Sequence, residues 1–455
     1  MRVAGCESTC PAVRSMASFT ILTIFLLYFF SAGVSALPFS FDLQPDFSRY
    51  IKTSALNISS SDQPTRLLFV GDVHGRFEDL QHLLRKVNYD PAAGDTLVHT
   101  GDTITKSSVL ESKKVLEWMA AHDVAGVRGN HDQAVIDWKG WRDWISSTSA
   151  GKAWLHSLDR DWENENSKTS SNALDPIDWA KERRKNSPRK HKSWWRRVPR
   201  GWKMFNEHYL IAASLEQREY EYLLSLPLVL HIPSIHTFTV HAGILASDVS
   251  RPATDRHQPL ARHPNPPRSS NPTVDETALR FLQESAILND IPQNNEPWVM
   301  LNMRSILKDN TIIRRNKKGH PWTRDYNEIM DRCVGYGANF ASDSTAKKGL
   351  PCMPATVVYG HAAARGLDIN RWSFGLDSGC AYGRKLSALV LELPPHHASY
   401  IQEEEDNVEE IEETMSHDPN EETQEIFARP QQRKIKFGDD DNLIKASIVD
   451  VDCSG

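Results

Sequence analysis

Asp72 and His74 stand one residue apart in Gly71-Asp72-Val73-His74-Gly75. A carboxylate and an imidazole at that spacing can hold one metal ion together, and glycines on both sides let the backbone turn tightly around it. The pair follows an apolar run, Leu67-Leu68-Phe69-Val70, that reads as a buried strand. Both side chains therefore fall just past a strand's C-terminal end, where ligands bind in open α/β folds. Four more runs end in the same way. Thr96 to Thr100 leads into Gly101-Asp102, and Val124 to Arg128 leads into Gly129-Asn130-His131-Asp132. Thr237 to Val240 leads into His241-Ala242-Gly243, and Thr356 to Tyr359 leads into Gly360-His361. One such strand end is a weak signal. Five of them, each delivering a metal-capable side chain to one end of a sheet, form a pattern that chance does not readily supply.

The segments between these strands supply the elements that must hold them. Phe77 to Val87 and Ser107 to Ala121 carry apolar residues at helical spacing, the second with Val109, Leu110, Val115, Leu116 and Met119 on its inner face. Leu215 to Leu226 and Thr277 to Leu288 read as further helices, and Ser387 to Leu393 as the strand that closes the sheet. Alternation of strand and helix predicts an α/β fold, a sheet covered by helices.

The ordered series GDVHG, GD, GNHD, HAG and GH resembles the calcineurin-like metallophosphoesterases, in spacing their phosphoprotein-phosphatase-like branch. Tyr359 to Gly366 and Gly375-Leu376-Asp377-Ser378-Gly379-Cys380 look more like the diadenosine-tetraphosphatase-like subgroup, which includes fungal vacuolar endopolyphosphatases. The resemblance covers roughly Arg66 to Leu393 and implies an αββα sandwich with two divalent metal ions. It implies that Asp72, His74 and Asp102 hold the first metal. Asp102 would bridge to the second, completed by Asn130, His241 and His361. Mixed nitrogen and oxygen ligands suit Zn, Mn or Fe. His131 matches the family's proton donor. In the protein phosphatases an Asp three residues past the bridging Asp orients that histidine, followed by Arg and Gly. Here Thr105, Lys106 and Ser107 stand instead, which puts a strict protein-phosphatase mechanism in doubt. Lys106 and Arg304 are preferred as phosphate contacts over Arg128 and Arg365.

The remainder of the chain frames this body. Residues 64–395 are expected to form the metallophosphoesterase domain, with insertions at about 138–203 and 251–275. Ala17 to Ala36 carries no charge and follows Arg2 and Arg14, so residues 1–36 read as a signal-anchor or, ending at Val34-Ser35-Ala36, a cleaved signal peptide. Residues 37–63 read as a lumenal linker with a glycosylation sequon at Asn57. Residues 396–455 read as a disordered acidic tail; from Gln402 onward seventeen acids face five bases, so a net charge of −6 divides into −12 for the tail and +6 for the rest. Lys181 to Lys203 holds eleven bases against one acid, amid a crowd of tryptophans. That stretch reads as a helical insertion with solvated bases, or as a basic wall that attracts a polyanion. Of the six cysteines, Cys6 and Cys10 precede the apolar run, Cys333, Cys352 and Cys380 lie in the body and Cys453 in the tail. An oxidising lumen permits a pair among the body cysteines, of which Cys333 and Cys352 are nearest in sequence.

These observations lead to an expected hydrolase that cuts inorganic polyphosphate within the chain by attack of a metal-bridging hydroxide. The enzyme alternatives are a phosphoprotein phosphatase and a dinucleoside-polyphosphate hydrolase. A catalytically dead, membrane-tethered scaffold is the alternative of another class, and six metal-capable groups argue against it. The expected partners are a polyanionic phosphate substrate and, through the N-terminal segment, a membrane. No nucleic acid is expected, since no recognition module is visible. The expected address is the lumenal side of the vacuole or secretory pathway, as a single-pass type II protein, with secretion as the alternative.

Overall fold

The computed structural model describes residues 45–58, 65–167, 175–264, 276–337, 349–394, 433–439 and 444–454. The expected membrane segment, Cys6 and Cys10 lie outside these residues, as does most of the acidic tail. Asn57 is exposed, and the sequon's Ser59 lies outside them. Among the described residues no helix is long and apolar enough to cross a membrane.

Two six-stranded sheets carry the body from Phe47 onward. With strands numbered along the chain, the first runs β1 (Ile51–Ala55), β5 (Pro227–Ile232), β6 (Thr237–Val240), β10 (Thr356–Tyr359), β12 (Ser373–Gly375), β11 (Asp368–Ile369). The second runs β14 (Arg433–Ile435), β15 (Lys445–Asp452), β13 (Lys385–Leu393), β2 (Thr65–Val70), β3 (Thr96–His99), β4 (Ala125–Gly126). A small sheet of β7 (Ser305–Ile306), β8 (Ile312–Ile313) and β9 (His320–Pro321) stands apart. Parallel pairing of β2, β3 and β4, and of β6 with β10, turns the C-terminal ends of neighbouring strands the same way.

Side-chain alternation along β2 shows how the layers stack. Leu67 and Phe69 join Leu230, Val358, Phe374 and Leu389 in a core shared by the two sheets. Leu68 and Val70 point the other way, into a core with Leu83, Val115 and Met119 of the helices Phe77–Lys86 and Val109–Ala121. On the far side of the first sheet, Val229, Phe238 and Val357 pack against Ile287 and Trp322. A run apolar on both faces is what a strand covered on both sides requires, and the arrangement is the expected αββα sandwich.

The change of composition at Trp138 falls inside one long helix, Asn130–Ser146, which begins at the GNHD motif. Trp138, Trp141, Trp154, Trp162, Trp179 and Trp195 are all buried in the same core as the helices of the second sheet. The tryptophans thus pack the helical layer together. The bases of this stretch divide: Arg183 pairs with Glu165 and Lys181 with Asp178, while Arg184, Lys185, Arg189, Lys190, Lys192, Arg196, Arg200 and Lys203 are exposed.

Two expectations for the C-terminal part require correction. Ser387 to Leu393 does not close the sheet, because β15 pairs antiparallel with β13 along eight residues and β14 lies beyond it. The expectation of a disordered tail over 396–455 therefore fails at Arg433–Ile435 and Lys445–Asp452. Lys445 to Asp452 carries Ile448, Val449 and Val451, apolar enough to bury on a sheet, and its backbone groups complete the ladder of β13. Cys453 follows at once and is bridged to Cys380, while Cys333 is bridged to Cys352. The first bridge closes a separation of 73 residues and ties the new strand to the loop after β12.

A buried charge cluster behind the first sheet supports one prediction of stability. Glu284, on the helix Glu276–Asp290, accepts from His231 Nε2 at 2.6 Å and His236 Nδ1 at 2.8 Å, with Arg280 Nε at 3.7 Å. Burial alone would raise its carboxyl, but the histidine hydrogen bonds hold it below the ordinary value. A depressed folded pKa stabilises above the unfolded value, about 4.3, and that contribution is lost as pH falls through the folded one. Glu284→Ala is expected to cost about 1–3 kcal/mol at neutral pH, because it leaves the buried His231 Nε2 without its partner and removes the carboxylate that faces Arg280. The difference from wild type should shrink below about pH 4 in urea unfolding. A neutral-pH loss under about 1 kcal/mol would remove the cluster from the stabilising set.

Candidate metal centre

Every metal-ligand candidate lies at the C-terminal end of a strand or in the turn that follows. Asp72 and His74 follow β2, Asp102 follows β3, Asn130 opens the helix after β4, His241 follows β6 and His361 follows β10. The structure brings all six together. Asp72, His74 and Asp102 form one group whose ligand atoms lie within 4.8 Å of one another, and Asp102, His241 and His361 form a second. Asp102 is the member common to both. Its Oδ2 lies 3.9 Å from His74 Nε2 and 3.3 Å from His241 Nε2. Asn130 Oδ1 stands 3.2 Å from His241 Nε2, and His361 Nδ1 stands 3.1 Å from the same atom.

Main-chain carbonyls set the histidines. His74 Nδ1 donates to Ile104 O at 3.2 Å and His241 Nδ1 to Thr100 O at 2.9 Å. A carbonyl only accepts, so each Nδ1 carries a proton and each Nε2 turns to the centre. The backbone is bent to serve the same end. His74, Asp102 and His361 have φ of 50°, 49° and 67°, in the left-handed region that costs a non-glycine residue ~1–3 kcal/mol. Hydrogen bonds hold these turns: His74 N–H to Asp102 O at 2.9 Å, and His361 N–H to both oxygens of Asp72 at 3.1 Å. Two glycines admit the carboxylates, since a Cβ on Gly360 would lie 2.0 Å from Asp72 Oδ1 and one on Gly129 2.1 Å from Asp102 Oδ1.

The electrostatics suit cations. Burial, then the facing carboxylates Asp377 and Asp102, push Asp72 well above the ordinary carboxyl range. Burial would raise Asp102 too, but His241, His131 and His74 hold it well below. Around His241 Nε2 converge a carboxylate oxygen, an amide oxygen and an imidazole nitrogen. Lone pairs facing lone pairs in a buried site need a positive charge between them. The donors are oxygen and nitrogen only, which fits Zn, Mn or Fe and excludes a thiolate site.

His131 stands beside this centre, its ring 5.3 Å from that of His74 and edge-on to it. Its backbone N–H donates to Asp102 Oδ1 at 2.8 Å, so the turn that carries it is tied to the shared carboxylate. Burial pushes its ring down to about 4, leaving it uncharged near neutral pH. A cavity of about 180 Å³ lies over the centre, lined by five of the six ligand candidates, His131, Lys106 and Arg304. Arg304 is held by His361 O, at 2.8 Å from Nη2, and by Arg314 O, at 3.1 Å from Nη1. Arg128 and Arg365 do not line the cavity. Arg128 is buried on Gln133, Leu224 O and Arg49 O, and Arg365 braces the backbone at Arg304.

Several residues of the site were missed from the sequence. Asp132 accepts from Asp102 N–H, Gly129 N–H, Thr103 N–H and Thr103 Oγ1 at 2.8–3.1 Å, and so pins the second and third metal-bearing turns together. Its signal was its place three residues into the helix, where a carboxylate caps the first turn. Arg314, Asp377 and Tyr382 also line the cavity. His208, which meets His131, had no signal at all. Asn57 is exposed just past β1 and no part of this centre; the expected linker 37–63 is corrected in part, since Ile51–Ala55 pairs with β5 as a strand of the first sheet.

Sheet order, layered helices and paired ligand groups at strand ends define a dinuclear metallohydrolase. The calcineurin-like phosphoesterase family matches residues 65–300, more than half of the chain, and the chain belongs to that family, whose enzymes hydrolyse phosphate esters with two divalent metal ions. Among curated proteins it is similar to symmetrical bis(5'-nucleosyl)-tetraphosphatases. The one of Buchnera aphidicola is 43% identical over 70 residues, 15% of this chain and 24% of the relative. That of Xanthomonas axonopodis is 38% identical over 68 residues (15% and 21%), and that of Chromobacterium violaceum 42% over 65 (14% and 22%). The match thus spans less than a quarter of the length of these relatives. A solved structure of a candidate diadenosine tetraphosphatase is 22% identical with a TM-score of 0.39, covering 75% of this chain and 94% of its own.

Proposed function

We propose that this protein hydrolyses phosphoanhydride bonds and that its substrate is inorganic polyphosphate. One observation carries the reading: the cavity over the centre is walled by Lys106, Arg304 and Arg314, and among the described residues that line it only Ala363 and Tyr382 lack a charged, amide or imidazole group. Such a site has charge for a chain of phosphates and little wall for a base or a peptide flank. The exposed bases between Arg184 and Lys203 support the same substrate, as a field that draws a polyanion. A dinucleoside polyphosphate is the second reading, favoured by the named activity of the similar proteins and by Tyr382, 65% exposed, on which a base can stack.

With two metals bound, the site supplies an activated nucleophile and charge neutralisation. Asp72, His74 and Asp102 would hold one metal, and Asp102, Asn130, His241 and His361 the other. Arg304 and Lys106 orient phosphoryl oxygens, and His131 offers a proton toward the leaving oxygen. Two disulfides support an oxidising compartment, and with the N-terminal apolar run they agree with a lumenal, membrane-anchored protein. The test is a panel of long polyphosphate, diadenosine tetraphosphate and a phosphoserine peptide, with Zn, Mn or Fe added to the full chain. Polyphosphate should be shortened internally, with kcat/KM at least about tenfold above that for the other two. Preference for diadenosine tetraphosphate selects the second reading, and preference for the peptide discards both.

A further inference from the structure

His131 has a partner that the sequence motifs do not announce. Its Nδ1 lies 2.8 Å from His208 Nε2, and the two rings stack with centroids 5.0 Å apart and planes at 16°. His208 belongs to the helix Glu207–Ser214, whose N-cap is Asn206. Asn206 Oδ1 accepts the Tyr209 N–H at 3.0 Å, so the amide's NH₂ end is the one that faces His208 Nδ1, at 3.1 Å. An NH₂ group only donates. His208 Nδ1 therefore accepts, and the ring's proton sits on Nε2, from which it donates to His131 Nδ1. His131 in turn keeps its proton on Nε2, the ring nitrogen left for the cavity. Among the described residues no carboxylate hydrogen-bonds the His131 ring. Thr105 turns to His74 Nδ1, at 3.5 Å, and Glu207 is engaged by Lys106, at 2.9 Å from the backbone N–H and 3.6 Å from Nζ.

We propose that His208 is a positioning residue that holds His131 in the tautomer whose Nε2–H faces the leaving oxygen, and that this relay fits the site to phosphoanhydrides rather than alkyl phosphate esters. The inference rests on the anhydride reading above. A carboxylate beside a histidine accepts its Nδ1–H and supports a full positive charge, so the ring can surrender a proton to an alkoxide. A neutral donor gives no such hydrogen-bonded support, and the nearby carboxylates are engaged elsewhere, Glu207 by Lys106 and Asp102 by His74 and His241. It leaves His131 able to donate a hydrogen bond but not to release its proton outright. A leaving phosphate spreads its charge over several oxygens, and a hydrogen bond suffices. Water's oxygen bonds to phosphorus, and the bridging P–O bond breaks with its electron pair on the leaving phosphate. Water's spare proton goes to solvent, and His131 ends with the proton it began with. An alkoxide cannot leave on those terms.

Three substitutions in the full, metal-loaded chain test this, each assayed on tripolyphosphate and on glycerol phosphate, with metal content and melting temperature as controls. H208L should lower kcat on tripolyphosphate by about 10²-fold while KM stays within about threefold. H208Q places an amide donor near the position of His208 Nε2 and should recover at least about tenfold of that loss. H208E has the same shape but accepts, and should raise the ester-to-anhydride rate ratio by about tenfold over wild type. Equal losses in folded H208L and H208Q would overturn the positioning role, and an unchanged ratio in folded H208E the specificity role. If H208L does not fold, H208Q against H208E decides. A metal-loaded wild type inert on every anhydride overturns the anhydride reading itself, whereas active wild type with indifferent variants overturns only the role of His208.

Discussion

Asp102→Asn is expected to lower turnover by about 10²–10⁴-fold and to weaken both metals at once. No other candidate ligand belongs to both groups of converging atoms. The substitution keeps shape. Its amide oxygen can still accept the His131 backbone N–H, now received by Asp102 Oδ1 at 2.8 Å, and its backbone N–H can still meet Asp132 at 2.9 Å. What changes is the side that faces His74 Nε2 and His241 Nε2, 3.9 and 3.3 Å from Oδ2. An NH₂ group there donates to His241 Nε2, a lone pair meant for a cation, and the charge that balances two divalent ions is lost. Elemental analysis and turnover on one sample check this. Normal metal content with normal turnover would refute a shared ligand at this position.

The strand ends could be read in advance because each couples a local signal to a general rule. An apolar run of four to six residues followed by a polar ligand, with glycine before it at every end but that of His241, is visible in the sequence, and where the ends meet follows from parallel pairing. The C-terminal strand was lost for a compositional reason. Lys445 to Asp452 is short and apolar enough, but the stretch from Gln402 to Ile444, with fifteen acids against four bases, precedes it and dominates any average over the tail. The local pattern of Ile448, Val449 and Val451, with Cys453 just beyond, was the better guide.

His208 was out of reach for a different reason. It lies 77 residues from His131, across the whole tryptophan-rich helical layer, and nothing in its neighbourhood is a motif. Its position depends on Asn206 capping one helix and on Trp138 packing against Tyr209 of that helix, with ring centroids 5.1 Å apart. The helical layer thus has a task at the site: it brings a side chain to the place beside His131 that the motif leaves without a carboxylate. Departure at Thr105 showed that something was missing; only the packed structure shows what replaces it.

His131→Ala should leave both metals in place while turnover falls by about 10²–10⁴-fold. The ring belongs to neither ligand group that includes Asp102, and the backbone N–H that ties this turn to Asp102 survives the substitution. Loss of metal would make His131 a ligand and not a donor. A second measurement asks whether His131 and His208 act as one unit. If His208 works only by setting the proton on His131, removing it from a chain that already lacks the imidazole should cost little more. The double variant H131A/H208L should then match H131A within about threefold, although H208L alone costs about 10²-fold. Losses that multiply would mean that His208 touches the reaction independently of His131, for instance by meeting the substrate itself.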